Sequence, residues 1–288
     1  MMSYPATIEN VQIQTISWCN RSCEFCPSQK FDRKPNLMTL ETFQRVLDEL
    51  ASIGFAGRIS PYLQGEPLLD KRMPQLIEMI RKTLPGSKIL MQSNGDFLTV
   101  EKGEAVFGAG LHKLILNAYD SNGDRSATLN RIADELVGKV PGLRKLKGNF
   151  QTMIRPEPPG NVTREILIED KSWWTRDSQD NWAGNVPGMP PLKTPINKYC
   201  FRPFEHLSVH YNGNVVLCCC DWKGEVVFGN LNESSLTDIL AGEVATTYRH
   251  NLAHQNRRMP LCERCDFKGK HPLTARIKHF LRRRLNLR

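Results

Sequence analysis

The chain has 288 residues, 40% of them hydrophobic, 24% charged, and a formal net charge of +9. This length accommodates one large domain with room for a small appendage, and the lack of any apolar run of about 18 residues excludes a membrane-spanning helix. Residues Met1 to Asn10 carry neither the basic nor the apolar segment of a secretory signal, so a cytoplasmic location is expected.

In chain order, Val11 to Trp18 reads as a strand, and it delivers a loop with three cysteines, Cys19, Cys23 and Cys26, in a C-x3-C-x2-C spacing. A closed zinc site or a four-iron cluster wants four ligands, so three thiolates on one short loop leave a metal position open for chemistry. Thr39 is a plausible N-cap for a helix whose apolar face is Leu40, Phe43, Val46, Leu47 and Leu50, with Gly54 as the stop. A strand follows at Arg58 to Leu63, then a helix near Met73 to Leu84 closed by Pro85-Gly86. Further strands are expected at Lys88 to Gln92, Leu114 to Ala118 and Phe150 to Ile154. Such alternation predicts parallel strands with crossover helices, and chemistry then sits at the C-terminal strand ends. The cysteine loop, Gly65-Glu66-Pro67, Ser93-Asn94-Gly95 and Asn117 to Asp120 all fall there.

With Phe25 at the aromatic position, the C-x3-C-x-aromatic-C spacing resembles the signature of the radical S-adenosylmethionine (radical SAM) enzymes. The resemblance implies an α/β fold, a partial (β/α)6 barrel, with a 4Fe-4S cluster held by Cys19, Cys23 and Cys26 and SAM bound at its open iron. Gly65-Glu66-Pro67 is similar to the family's motif for the methionine amino group. Ser93 and Asn94 are similar to the segment that bonds the ribose and methionine carboxylate, and Phe25 completes the implied SAM-binding set. No segment matches the family's adenine motif. Arg155 is a candidate carboxylate ligand or an exposed structural arginine.

Residues 1–160 are therefore expected to form the barrel core, and 161–198, rich in Pro, Gly, Trp and Asn, a connection that lines the active site. Asp120, Arg155, Asp177 and Asn181 are candidate polar contacts for a substrate. Six cysteines follow: Cys200, Cys218, Cys219, Cys220, Cys262 and Cys265. A hairpin turning at Asn212-Gly213, a helix over Ser234 to Leu240 and the C-x2-C pair Cys262/Cys265 are recognisable around them. On spacing alone these cysteines suit a zinc ribbon as well as an iron-sulfur site. Residues 199–270 resemble the twitch domain, a trimmed SPASM module, which implies one auxiliary 4Fe-4S cluster on Cys200, Cys218, Cys262 and Cys265. Cys219 and Cys220 are then surplus. Strand alternation puts Cys219 on the face opposite Cys218 and Cys220, and Cys220 is a candidate hydrogen-atom donor.

The family implies reductive cleavage of SAM to a 5'-deoxyadenosyl radical and hydrogen abstraction from a small polar substrate such as a sugar or aminocyclitol. The outcome is dehydrogenation or epimerisation, with an external one-electron donor such as flavodoxin or ferredoxin. Competing readings are a maturase of a ribosomally made peptide and a non-enzymatic metal-binding protein. The positive charge is concentrated in residues 271–288, where Arg276 to Arg288 alone carries six cations and no acid. That distribution argues against a nucleic-acid groove; the tail reads as a basic amphipathic helix, packed on its own domain or touching a membrane surface.

Overall fold

The computed structural model describes residues 7–31, 34–119, 123–146, 163–172, 174–175 and 180–269. Among these, nine strands form one sheet: β1 (Asn10–Ile13), β2 (Arg58–Ser60), β3 (Lys88–Ser93), β4 (Lys113–Ala118), β5 (Leu143–Leu146), β6 (Arg164–Asp170), β7 (His206–Val209), β8 (Asn214–Val216) and β9 (Val227–Asn230). Their order is β5-β6-β4-β3-β2-β1-β7-β8-β9. Every pairing from β5 to β7 is parallel, and β7-β8-β9 are antiparallel. The sheet is open, as a partial barrel requires, and the C-terminal hairpin extends it instead of forming a second sheet.

Helices α1 (Leu40–Ser52), α2 (Met73–Thr83), α3 (Val100–Gly108) and α4 (Asp124–Lys139) connect the barrel strands. Thr39 does cap α1, its side chain accepting from the Thr42 amide, and Phe43, Val46, Leu47 and Leu50 form the buried face. Smaller helices α5 (Arg202–Glu205), α6 (Leu236–Ala241) and α7 (Glu243–Ala253) belong to the C-terminal part.

Strand parity separates the two faces of the sheet. Val11, Ile13, Ile59, Ile89, Met91, Leu114, Leu116, Ile166, Leu207 and Val209 join the helices in one apolar core. The opposite face carries Gln12, Ser60, Gln92, Asn117, Glu169 and Ser208, with a small apolar cluster of Leu90, Ile115 and Leu167. A second core joins Phe204, Leu217, Tyr248, Leu252 and Leu261 to the cysteines of the C-terminal part.

Several elements depart from expectation for identifiable reasons. β1 ends at Ile13 because the chain then bonds to residues 36–38 instead, with Met38 N donating to Thr15 O and Ser17 N to Asn36 O. β2 ends before Pro61, which has no amide hydrogen for the ladder. The strand expected at Phe150 to Ile154 lies outside the described residues. β6 pairs with β4 and β5, so the barrel sheet continues past residue 160 into the segment taken as a connection. Its sequence, REILIED, brackets only a short apolar run with charges, which hides it. The tail 271–288, Arg155, Asp120 and Asp177 also lie outside the described residues. Among the described residues no helix is long and apolar enough to cross a membrane.

The core assignment is directly testable. Leu47→Ala empties a fully buried site and is expected to cost about 2–5 kcal/mol in denaturant unfolding. Leu37→Ala, at a side chain 47% exposed, should change stability by less than about 0.5 kcal/mol.

Candidate active site and metal centres

The first cysteine loop leaves the sheet beyond β1 and is tightened by Cys26 N donating to Cys23 O at 3.0 Å. Burial and the facing sulfurs of Cys26 and Cys19 push the Cys23 thiol up to about 12, against the pull of Arg21. The three thiols share one eight-residue loop, and a cationic iron cluster held there would relieve this repulsion. The donor set therefore fits a cluster held by three thiolates.

The loop is fastened to the end of β3. Arg21 grips Asp96 through Nε and Nη2, both at 2.6 Å, while Asn20 Nδ2 donates to the same carboxylate at 2.7 Å. Asp96 also faces Arg125 at 3.3 Å. Burial alone would raise the Asp96 pKa, but Arg21, Asn20 and the Arg125 charge hold it below the usual carboxylate range. Asn94 Nδ2 reaches Asn20 Oδ1 at 2.9 Å and lies 3.8 Å from Cys19 Sγ.

The sequence-predicted SAM residues converge beside this loop. The buried Glu66 carboxylate accepts from Ser93 Oγ at 2.6 Å, Asn94 N at 2.9 Å and Leu68 N at 3.0 Å. Ser93 Oγ in turn accepts from Gly95 N at 2.9 Å. Burial raises the Glu66 pKa, against these three donors. Glu66 and Ser93 thus spend most of their hydrogen-bonding capacity on each other and on the backbone, and they shape the binding edge by joining the ends of β2 and β3. Pro67 starts the short 3-10 turn Pro67–Leu69, its missing amide hydrogen costing nothing at that position.

Gly65 is required by close approach. A Cβ there would lie 2.3 Å from Ile16 O and 3.0 Å from Trp18 O, and Trp18 O accepts from Glu66 N at 2.9 Å. Above the loop, Phe25 packs against Tyr119 and Trp174 with ring centroids 5.2 and 5.5 Å away. Lys171 Nζ sits 4.0 Å from the Trp174 ring centre and pairs with Glu169 at 2.8 Å, both side chains buried. Trp174, Lys171 and Glu169 escaped the sequence reading because β6 did, whereas Tyr119 lies in the Asn117 to Asp120 segment expected at the end of β4.

The later cysteines form a second site. Cys200, Cys218, Cys220, Cys262 and Cys265 line one cavity together with Arg202 and Arg257. Among the described residues no three His, Cys, Asp or Glu side chains converge as a preformed single-ion site. The thiols are grouped instead by the cavity wall they share, and this soft, all-sulfur donor set fits an iron-sulfur cluster. The triplet Cys218-Cys219-Cys220 lies beyond β8 in a turn closed by Asp221 N donating to Cys218 O at 3.0 Å, so strand alternation does not govern it. Cys219 is outside the cavity wall, and its carbonyl accepts from Gln64 Nε2 at 3.2 Å. Cys220, the candidate hydrogen donor, is 1% exposed, among the auxiliary thiols, with Arg202 Nη1 at 2.7 Å from its sulfur. Asn181 is committed to structure: its Nδ2 donates to Arg264 O at 2.9 Å and its backbone amide to Asp266 at 2.8 Å.

The two thiol sites are mechanically joined. Gln64, just beyond β2, bonds Gln14 and the carbonyls of Cys219 and Asp221. Phe31 stacks on Trp222 at 5.6 Å, and Lys30 reaches the carbonyls of Gly184 and Val186.

Gly65→Ala should displace the Ile16 to Trp18 backbone that carries the cysteine loop. SAM binding measured by calorimetry is expected to weaken at least about tenfold, or about 1.4 kcal/mol, with iron at the second site retained. Unchanged affinity would contradict the close-approach argument.

Residues 13–134 match the radical SAM superfamily, and residues 200–266 match the SPASM iron-sulfur cluster-binding domain. The S-adenosyl-L-methionine-dependent 2-deoxy-scyllo-inosamine dehydrogenase of Niallia circulans is 25% identical over 258 residues, covering 89% of this chain and 92% of that protein. The crystal structure of BtrN in complex with AdoMet and 2-DOIA superposes with a TM-score of 0.67 at 24% identity, over 91% of this chain and 94% of that one. Streptococcus suis SuiB bound to its precursor peptide SuiA is similar in fold, with a TM-score of 0.56 at 13% identity, over 85% of this chain and 67% of that one. Three thiols on one loop beyond β1, the Glu66-Ser93 edge beside them and an all-thiol cavity downstream agree with both matches: the chain carries a radical SAM domain and a SPASM iron-sulfur domain, as an enzyme using SAM and 4Fe-4S clusters.

Proposed function

We propose that this enzyme is a radical SAM dehydrogenase of an aminocyclitol or a closely similar polyhydroxylated amine. The observation that carries the proposal is the similarity to an aminocyclitol dehydrogenase across 89% of the chain and 92% of that protein. Cys19, Cys23 and Cys26 would hold the SAM-binding cluster, and Cys200, Cys218, Cys262 and Cys265 the auxiliary one. When bound, these groups supply a 5'-deoxyadenosyl radical at the first site and a one-electron acceptor at the second.

The chain's own contribution is positioning and exclusion of water. Gly65 lets the backbone approach closely enough to receive SAM, and the Glu66-Ser93-Asn94 network fixes that edge before the cofactor arrives. Phe25, Tyr119 and Trp174 close a hydrophobic wall over the cysteine loop, which shields a reactive carbon radical from solvent. The polar face of the sheet, with Gln92, Asn117 and the Lys171-Glu169 pair near its C-terminal edge, supplies donors and acceptors suited to hydroxyl and amino groups.

The placement of Cys220 favours dehydrogenation over epimerisation. A thiol returning hydrogen must face the substrate, whereas Cys220 is buried against the auxiliary cysteines and Arg202. Ferredoxin or flavodoxin is the expected class of electron donor to the first cluster.

Anaerobic reconstitution should load about eight irons per chain, consistent with two 4Fe-4S clusters. Incubation with SAM, a low-potential reductant and a panel of aminocyclitols in deuterated water should yield 5'-deoxyadenosine and a product two hydrogens lighter. A product of unchanged composition with deuterium on carbon would instead identify an epimerase, and turnover of peptides alone would identify a maturase.

A further inference from the structure

The residue Arg202 is placed unlike the other arginine of the auxiliary cavity. Arg257 is spent on the scaffold: Nε donates to Lys198 O at 2.9 Å, Nη1 to Phe267 O at 2.7 Å and Nη2 to Tyr199 O at 3.4 Å. Arg202, two residues after Cys200, turns its guanidinium to sulfur. Its Nη1 lies 2.7 Å from Cys220 Sγ, and its carbon sits 3.7 Å from the centre of the Phe267 ring. Its carboxylate partner, Asp180, is at 3.5 Å with a side chain 39% exposed, against 12% for Arg202. A buried positive charge is therefore only loosely neutralised and lies on the wall shared by Cys200, Cys218, Cys220, Cys262 and Cys265.

Arginine keeps its charge at any physiological pH. A four-thiolate 4Fe-4S centre is anionic and becomes more so on reduction. A fixed cation in a low-dielectric wall therefore stabilises the reduced form more than the oxidised form, and charge and hydrogen bonds near the sulfurs are what set such potentials. We propose that Arg202 raises the reduction potential of the auxiliary cluster, making it a competent acceptor for the electron leaving the substrate, and that Cys220 is the sulfur that anchors the guanidinium in place. This rests on the auxiliary ligand set proposed above.

The test uses the full chain with Cys19, Cys23 and Cys26 changed to alanine, so that the auxiliary cluster is the one observed, in a redox titration followed by electron paramagnetic resonance. Arg202→Gln is expected to lower the midpoint potential, and Arg202→Lys to keep it near the parent value. Asp180→Asn, which leaves Arg202 in place and removes its facing carboxylate, should raise it. A potential unchanged in Arg202→Gln at full iron content overturns the role of Arg202 while leaving the cluster assignment intact. If Arg202→Gln fails to hold iron, an unchanged potential in Asp180→Asn overturns the role in the same way. A parent protein that binds no iron after reconstitution removes the auxiliary-cluster reading and this proposal with it.

Discussion

The reactive end of this protein depends on the parallel hydrogen bonding of β1 to β2 on one side and to β7 on the other. β1 is four residues long and presents Val11 and Ile13 to the helical core, so its register is fixed by burial as well as by the ladder. From that anchored strand the chain goes directly into the segment that ends in Cys19, Cys23 and Cys26. Because β7 leads into the cysteine triplet through its antiparallel hairpin, one sheet holds both thiol sites, and neither can shift without disturbing β1. A hinged pair of domains would leave their separation variable, whereas one ladder fixes it.

Around this frame, three polar groups that fasten the site loops are each supplied with several partners. Glu66 is supplied with three donors, Asp96 with two side-chain donors and a second guanidinium, and Asn181 with partners on both its amide and its side chain. A desolvated carboxylate lacking such partners would be costly, so each network fixes a single geometry for the loop it serves. Arg202 departs from this pattern, with a cysteine sulfur at 2.7 Å, nearer than its carboxylate partner Asp180 at 3.5 Å, and an aromatic ring packed against it. A site built for electron transfer uses its charge on the cluster's surroundings, while the SAM-binding loop uses its charges to hold backbone.

Much of the fold was legible because its signals are local. Helix α1 announced itself through Thr39 and the apolar face from Phe43 to Leu50, and the hairpin turn through Asn212-Gly213, where Gly213 adopts φ +87°. Strand β6 was missed because only Ile166, Leu167 and Ile168 stand between charged residues; its identity as a strand comes from pairing with β4 and β5 on both sides. With it went Glu169, Lys171 and, through packing, Trp174. For Glu66 and Ser93, contact with SAM is what the motif implies, whereas their bond to each other is visible only in the fold.

The sequence alone determined which chemistry this chain can hold: cysteine spacing within eight residues specifies a three-thiolate site, and that spacing is fixed by covalent geometry. Tertiary structure decided which of the later cysteines meet. Cys200, Cys218, Cys220, Cys262 and Cys265 are separated by up to 65 residues, and only tertiary packing gathers them on one cavity wall; that Cys219 lies off this wall while Cys218 and Cys220 line it agrees with the sequence expectation, although a turn and not a strand carries them. The same packing aims Arg202 at sulfur. The direction of that guanidinium follows from the sulfur and the Phe267 ring packed against it, and no pattern along the chain encodes it.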